Sequence, residues 1–178
     1  MTHLKPEITT AAGPLQTCSG IQGGIEAAIH TMRQLYADES TECALLVDAE
    51  NAFNCLNREA ALQNMNLICP EFQKYLINTY RKAPKLFLNG GNGKFIASEE
   101  GSTQGDNAAM SMYSCTVKPL NNLLRANRYY NENGVSPPKL IWYAHDLSAA
   151  DQLGSVLAWW KILSANGPHV GYYPKAEK

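Results

Sequence analysis

Two aspartates lie where apolar stretches give way to polar residues, and carboxylates in such places can do chemistry. Asp48 follows the apolar run 43–47, and Asp146 lies within KLIWYAHDLSAAD, residues 139–151. Because Asp favours turns, each aspartate taken singly is typical of a turn residue. Taken together, two carboxylates from separate strands can bridge two Mg²⁺ ions about 3.5–4 Å apart, the arrangement used for phosphoryl transfer.

Three further residues could contribute to such a site. Phe53 follows Asp48 closely and is either a core aromatic or a side chain at the edge of the site. In the loop EGSTQGDN, Gln104 can donate and accept hydrogen bonds, and Gly105 lets a backbone approach a ligand closely. A Gln-Gly pair is also typical of an ordinary turn. Only the order along the chain is specific: first the strand that ends at Asp48, then the loop with Gln104 and Gly105, then the hairpin with Asp146.

The composition is typical of one globular domain. Of 178 residues, 45% are apolar and 17% charged, which excludes the signature of disorder. The formal net charge of -1 counts against nucleic-acid binding, which usually leaves a basic footprint. The five cysteines include no C-x-x-C pair, which favours reduced structural thiols over disulfides or a zinc site.

The N-terminal stretch MTHLKPEITTAAGPLQ contains no apolar signal core. No apolar run approaches the ~18 residues needed to span a bilayer. We therefore expect no secretion and no membrane partner, and an intracellular location, cytoplasmic or nuclear.

Hydrophobic periodicity divides the chain into helices and strands. Residues 1–19 are expected to be irregular, because they are polar and contain Pro6 and Pro14. Helices are expected at 21–36, from Arg58 with Asn57 as its cap, at 70–80, along 108–130 with a kink at Pro119, and at 153–163 with Val156, Leu157, Trp160 and Leu163 inward. Strands are expected at 43–47, in hairpins at 85–98 and 139–151, and within 167–178. The order is not strictly β-α-β, which predicts an α+β fold with helices on one face of the sheet.

Four motifs, in order, resemble the palm domain of reverse transcriptases, the RNA-directed DNA polymerases of retroelements. LLVDAENAFNCLNR resembles the first palm motif, EGSTQGDNAAMSMYS the second, WYAHDLSAA the third and GPHVGYYPKAEK the fourth, while GIQGGIEAAIH resembles a helix start upstream of the palm. The nearest likeness is to eukaryotic retrotransposon enzymes with a W-Y-A-D-D hairpin. The resemblance implies a polymerase palm-like antiparallel sheet over 20–178, with a remnant of the fingers and no thumb.

The resemblance also implies an activity and its cofactor. The activity is template-directed DNA synthesis by two-metal nucleotidyl transfer, with an RNA or DNA template-primer and a deoxynucleotide as partners. Two Mg²⁺ ions would be held by Asp48, Asp146 and the backbone carbonyl of Ala49. Lys178 falls where the fourth motif has a lysine that can protonate the departing pyrophosphate, although a solvated terminal lysine is the alternative.

Other matching residues would contact the substrates. Phe53 would be the steric gate, with its ring in the space of a ribose 2′-hydroxyl. Gln104 and Gly105 would flank the nascent base pair and its template, and Tyr143 would pack near the primer end.

The chain departs from the family's Y-x-D-D hairpin at its first aspartate, a metal ligand, where His145 stands. Mg²⁺ demands oxygen ligands, whereas imidazole supplies nitrogen and prefers Zn²⁺, Cu²⁺ or Ni²⁺. We interpret His145 as damage, which a single base change can produce; a change of metal is the alternative. A second departure is Asn107, where relatives usually carry proline.

We therefore expect a palm-centred reverse transcriptase fragment that is inactive because of His145 and truncation. Asp48, His145 and Asp146 are expected to converge at one end of a small antiparallel sheet. The alternatives are a catalytically dead palm that binds nucleic acid or protein, and a pseudogene product. The net charge disfavours a nucleic-acid-binding module.

Overall fold

The structure, a computed structural model, describes residues 4–89, 92–127, 129–131, 134–135 and 137–176. Its helices, in chain order, are α1 (Lys5–Ala12), α2 (Gly24–Tyr36), α3 (Ala52–Cys55), α4 (Arg58–Ile68), α5 (Pro70–Tyr80), α6 (Ala109–Thr116), α7 (Lys118–Ala126) and α8 (Leu153–Asn166), followed by a 3₁₀ turn, Gly167–Val170. Its strands are β1 (Cys43–Ala49), β2 (Lys85–Phe87), β3 (Phe95–Ala97), β4 (Tyr130–Asn131), β5 (Gly134–Val135), β6 (Lys139–Tyr143), β7 (Asp146–Asp151) and β8 (Pro174–Ala176). Within these ranges, no helix has both the length and the apolarity to cross a membrane.

The main sheet brings together strands that are distant in sequence. Its antiparallel strands lie in the order β6-β7-β1-β8, so that β1 pairs with β7 on one side and with β8 on the other. The register pairs Val47 with Leu147. Continuing that register by one position places Asp48 beside Asp146, and the strand pairing therefore positions both aspartates at the same end of the sheet.

The hydrophobic core lies on one face of this sheet. Val47 and Leu147 contribute to it from the strands, and Met65, Met112 and Trp159 contribute from α4, α6 and α8. Helix α2 lies near the opposite face, beside β6 and β7. The predicted fold class, an α+β palm-like antiparallel sheet with helices packed on one face, is confirmed for the core helices, and α2 is a further helix beside the other face.

Local sequence explains several element boundaries. The side chain of Asn57 accepts a hydrogen bond of 2.9 Å from the backbone N–H of Ala60, and so caps α4 as predicted. The two predicted hairpins also form, with β2 paired to β3 and β6 paired to β7.

The prediction that residues 1–19 are irregular was wrong for Lys5–Ala12, which form α1. Helix α1 has Pro6 in its first turn, where a missing N–H removes no helical hydrogen bond. Ile8 and Ala12 are buried in the core. Downstream of α1, the backbone at Thr17 donates to Trp142, and the backbone of Trp142 donates to Leu15, both at 2.9 Å. The N-terminal segment therefore runs along the edge of β6.

Two helix predictions also need correction. The single kinked helix expected over 108–130 is the pair α6 and α7, which meet at Val117. Pro119 lies in the first turn of α7 and so starts a helix, where a kink was expected. In α8 Val156 and Leu163 are buried as predicted, but the fully buried tryptophan is Trp159 and not Trp160, and Leu157 is 51% exposed.

Candidate active site

Three side chains predicted from the motifs converge at one end of the sheet. Asp48, at the end of β1, and Asp146, at the start of β7, lie beside His145 in the hairpin turn. The His145 Nε2 atom is 3.6 Å from Asp48 Oδ1 and 4.0 Å from Asp146 Oδ1. One potential ligand atom from each of the three residues lies within 4.8 Å of the others. The cluster could therefore hold a cation.

The turn that carries His145 is held by a residue that the sequence did not reveal. Ala144 has a φ of 55°, an unfavourable left-handed conformation for a residue with a side chain. The Gln16 side chain fixes it twice, since Oε1 accepts from the Ala144 N–H at 2.8 Å and Nε2 donates to the Ala144 carbonyl at 3.1 Å. The sequence carries no signal for this role, because Gln16 lies outside the four palm motifs.

Aromatic residues position the imidazole from its other sides. The His145 ring makes edge contacts with Phe53, at a centroid distance of 5.6 Å, and with Tyr113, at 6.3 Å. The Tyr172 hydroxyl donates to the His145 carbonyl at 2.9 Å. Both the backbone and the ring of His145 are thus supported by the core.

Burial raises the pKa of the Asp146 carboxyl; His145 lowers it, and the carboxylate of Asp48 raises it. The Oδ1 atom of Asp48 is shielded from solvent and accepts no hydrogen bond from the described residues. Burial is the largest cause of the raised pKa of Asp146 and the Asp48 carboxylate adds to it, so a cation beside the two carboxylates would favour their charged forms.

The donor set does not fit the pair of Mg²⁺ ions that the fold family implies. Mg²⁺ requires near-octahedral oxygen ligands at about 2.0–2.1 Å. Here the third side chain offers an imidazole nitrogen in place of a carboxylate, and imidazole suits transition metals better. These three side chains therefore do not make a two-Mg²⁺ site.

A depression beside the cluster is lined by three of the residues predicted to contact substrates, Phe53, Gln104 and Gly105. It has a volume of about 440 Å³ and is lined by Phe53, Gln104, Gly105, Asp106, Asn107, Ala109 and Met110. Phe53 is half-buried and contacts the His145 ring, so it lies at the edge of the site, between the depression and the carboxylates. Gly105 has a φ of 93°, which glycine adopts without strain.

Two residues outside the predicted set anchor the loop that carries Gln104. The Arg58 guanidinium is buried and donates to three backbone carbonyls within 98–101, at 2.9 to 3.0 Å. The Tyr80 hydroxyl donates to the Asp106 carboxylate and accepts from the Thr103 N–H at 3.3 Å. These contacts join distant segments, so sequence spacing alone could not identify them.

The other predicted site residues have distinct placements. Tyr143, Asp48 and Asp146 line a larger, mostly apolar cavity of about 590 Å³ between α2 and the sheet. Ala49 as a whole is 3% exposed and lies in the core, and the role of its backbone carbonyl as a metal ligand stays a prediction. Lys178 lies outside the described residues.

No protein-family model matches the chain, and no curated protein matches it by sequence. Among solved structures, it is similar to telomerase from Candida albicans in complex with a TWJ fragment of telomeric RNA, with a TM-score of 0.56 and 10% identity. It is also similar to apo telomerase from Candida tropicalis truncated from its C-terminal domain, with a TM-score of 0.52 and 12% identity. The matches cover 99% and 98% of this chain but only 34% and 38% of those chains. Telomerase is a reverse transcriptase, and the chain therefore has a reverse-transcriptase-like fold.

Proposed function

We propose that the chain is the palm of a retrotransposon reverse transcriptase. The observation that supports this most directly is the convergence of Asp48, His145 and Asp146 on a reverse-transcriptase-like fold. The ancestral reaction is attack by a primer 3′-hydroxyl oxygen on the α-phosphate of a deoxynucleotide, with release of pyrophosphate. The template is RNA or DNA.

The depression beside the cluster suits the incoming nucleotide and its template base. Phe53 would be the steric gate, because its ring separates the depression from the carboxylates. Gln104 and Gly105 would border the nascent base pair, since they line the same depression. Tyr143 would lie near the primer end, since it shares the larger cavity with the two aspartates.

We further propose that this chain does not extend a primer with Mg²⁺. Two-metal catalysis uses clustered carboxylates to hold both ions and to stabilise charge that develops in the transition state. Replacing one carboxylate by imidazole removes an oxygen ligand and a negative charge. Each ~1.4 kcal/mol added to the barrier slows the reaction tenfold, so a loss of several kcal/mol leaves no detectable extension.

The test is a graft of residues 43–178 into an intact reverse transcriptase, with primer extension in Mg²⁺ as the readout. The His145→Asp graft should extend a primer by orders of magnitude more than the His145 graft, at pH 6 and pH 8 alike. His169→Asp is the matched control, because His169 is an exposed histidine outside the cluster, and it should leave extension unchanged. Equal extension by the two principal grafts would show that His145 is a working substitution. A His145→Asp graft that folds but stays inactive would contradict the palm assignment.

A further inference from the structure

We propose that His145 converts this site into one that binds a single divalent transition-metal ion of the Zn²⁺ class, through Asp48, His145 and Asp146. The inference rests on the proposed function insofar as that function assigns the three side chains to one metal-binding site. It goes further because it names a different ion and makes the histidine a ligand.

The spacing of the three donors is that of groups that share an ion. The separations of 3.6 Å and 4.0 Å from His145 Nε2 to the carboxylate oxygens are too long for direct hydrogen bonds. A Zn²⁺ ion about 2.0–2.2 Å from each donor holds its ligands roughly 3–4 Å apart. The two distances from His145 Nε2 are therefore compatible with a shared ion, and the donor atoms of the two carboxylates lie within 4.8 Å of each other.

A polar atom without a partner points to the same conclusion. Asp48 Oδ1 is shielded from solvent, accepts no hydrogen bond from the described residues, and is the carboxylate oxygen nearest to His145 Nε2. The Asp48 side chain as a whole is 47% exposed, and the ionisable neighbour of this oxygen is the His145 imidazole. Coordination to a cation would satisfy this oxygen, whereas a hydrophobic contact would not.

The imidazole is held in place before any ion binds. Its ring lies against the edges of Phe53 and Tyr113, and the Tyr172 hydroxyl fixes its backbone carbonyl. Gln16 fixes the preceding residue, Ala144. A ligand held in this way loses little conformational freedom on binding, which favours a defined coordination geometry.

The chemistry of the donors selects the ion. Two carboxylates and one imidazole suit Zn²⁺ or Co²⁺ and disfavour Mg²⁺, which demands an oxygen shell. The Asp146 side chain is 61% exposed, so solvent can fill the remaining coordination positions. Three protein ligands with a fourth position open to water are the pattern of catalytic zinc sites, as distinct from closed structural ones.

Cysteines are the competing ligands to consider, because the chain has five of them. All five are free thiols, and two of them are buried. Within the described ranges, no cysteine belongs to a cluster of three or more potential metal-ligating side chains. A thiolate-bound ion would therefore lack the convergent partners that the Asp48 site provides.

The test is titration of the purified, metal-free chain with Co²⁺, followed by visible absorption, and then displacement by Zn²⁺ measured by calorimetry. We expect one ion per chain, a spectrum without sulfur-to-metal charge transfer, and no displacement by millimolar Mg²⁺. No Co²⁺ binding, or a spectrum dominated by thiolate ligation, would overturn the proposal.

Variants locate the ion. His145→Ala should weaken Co²⁺ binding by at least about 10–100-fold, the loss typical of even a supporting partner of a metal ligand. His145→Asp should bind Mg²⁺ and lose the preference for Zn²⁺. His30→Ala and His169→Ala, at two exposed histidines away from the cluster, should bind Co²⁺ like the unaltered chain. Unchanged binding by His145→Ala would place the ion elsewhere and overturn the proposal.

The two hypotheses fail separately. If the His145→Asp graft extends a primer but the unaltered chain binds no Co²⁺, the proposed function stands and the transition-metal site is rejected. If the chain binds Co²⁺ through His145 but the His145→Asp graft folds and stays inactive, the metal site stands and the reverse transcriptase assignment is rejected. Circular dichroism of each variant ensures that a loss of binding reflects the ligand and not unfolding.

Discussion

The two faces of the four-stranded sheet differ in how completely the rest of the chain covers them. Side chains alternate between the faces along each strand. On the inner face, Val47 and Leu147 are buried in the core, whereas on the outer face Leu46 is 53% exposed and both Asp48 and Asp146 reach solvent. The inner face therefore provides most of the stability, and the outer face provides the chemistry.

Helix α2 accounts for the openness of the outer face. Its apolar side chains follow a helical period, but Ile25 and Ile29 remain exposed, and residues of the helix and of the sheet together line a cavity of about 590 Å³. The helix lies beside β6 and β7 and leaves part of the outer face open. His145 differs from the two aspartates, because its ring lies against Phe53 and Tyr113 on the side of the core.

The largest effect is expected from a matched pair of leucines on neighbouring strands. Leu147→Ala should lower the free energy of unfolding by roughly 2–5 kcal/mol, because it creates a cavity in the core. Leu46→Ala should cost less than about 1 kcal/mol, because that side chain is half exposed. Urea denaturation of both variants measures the difference. Similar losses would contradict the division between the two faces.

Much of this arrangement could be predicted, because local patterns determine it. The apolar run ending at Asp48 indicates a strand, and the ordered motifs place Asp146 in a hairpin. The register of β1 against β7 then brings the two carboxylates together. Residues whose neighbours in sequence are also their neighbours in space, such as the capping Asn57, were equally accessible.

The remaining features depend on contacts between distant segments. Gln16 bonds to Ala144, and Arg58 bonds to the loop at 98–101, across separations that no periodicity encodes. Pro6 suggested an irregular segment, because a proline in the first turn of a helix looks in sequence like a proline in a loop. Leu157 was predicted to face inward, and Trp160 was chosen where Trp159 is buried, because α8 is apolar around much of its circumference.

The second prediction tests whether the turn at Ala144, at the end of the sheet that carries the two aspartates, depends on Gln16 in the N-terminal segment. Gln16→Ala should lower the free energy of unfolding by about 2–3 kcal/mol, because it leaves the buried N–H and carbonyl of Ala144 without partners. It should also speed hydrogen exchange at the Ala144 amide. Gln16→Glu is the comparison for exchange, since it keeps the acceptor for that amide; it should still lose stability, because it buries a carboxylate whose second oxygen faces the Ala144 carbonyl oxygen. If Gln16→Ala left exchange at the Ala144 amide unchanged, the two hydrogen bonds from Gln16 would have no role in holding the turn.

The third prediction concerns strain in the same turn. Ala144→Gly should raise the free energy of unfolding by a net amount of roughly 0.5–1 kcal/mol. Glycine adopts a φ of 55° without the steric cost that alanine bears, and this gain exceeds the opposing effect of the greater freedom of the unfolded chain. Ala150→Gly, in the interior of β7, is the control and should destabilise. A loss of stability in Ala144→Gly would show that the turn is not strained.

The smallest effect is expected where an exposed ion pair joins the turn after α2 to the first residue of β6. Asp38 lies 3.3 Å from Lys139, and hydrogen bonds from the Ser40 hydroxyl and N–H, with Lys139, lower its pKa to about 2 from 3.8. Since the folded pKa is the lower one, the stabilisation is present above about 3.8 and is lost as the pH falls through about 2. Asp38→Asn should therefore be slightly less stable than the unaltered chain at pH 7, and the difference should shrink towards pH 2 and at high salt, because exposed charges are screened. Urea denaturation across that range measures it. A difference that did not change with pH or salt would show that Asp38 acts through packing or hydrogen bonding alone. The charge of Asp38 would then contribute nothing to the contact between the turn after α2 and the start of β6.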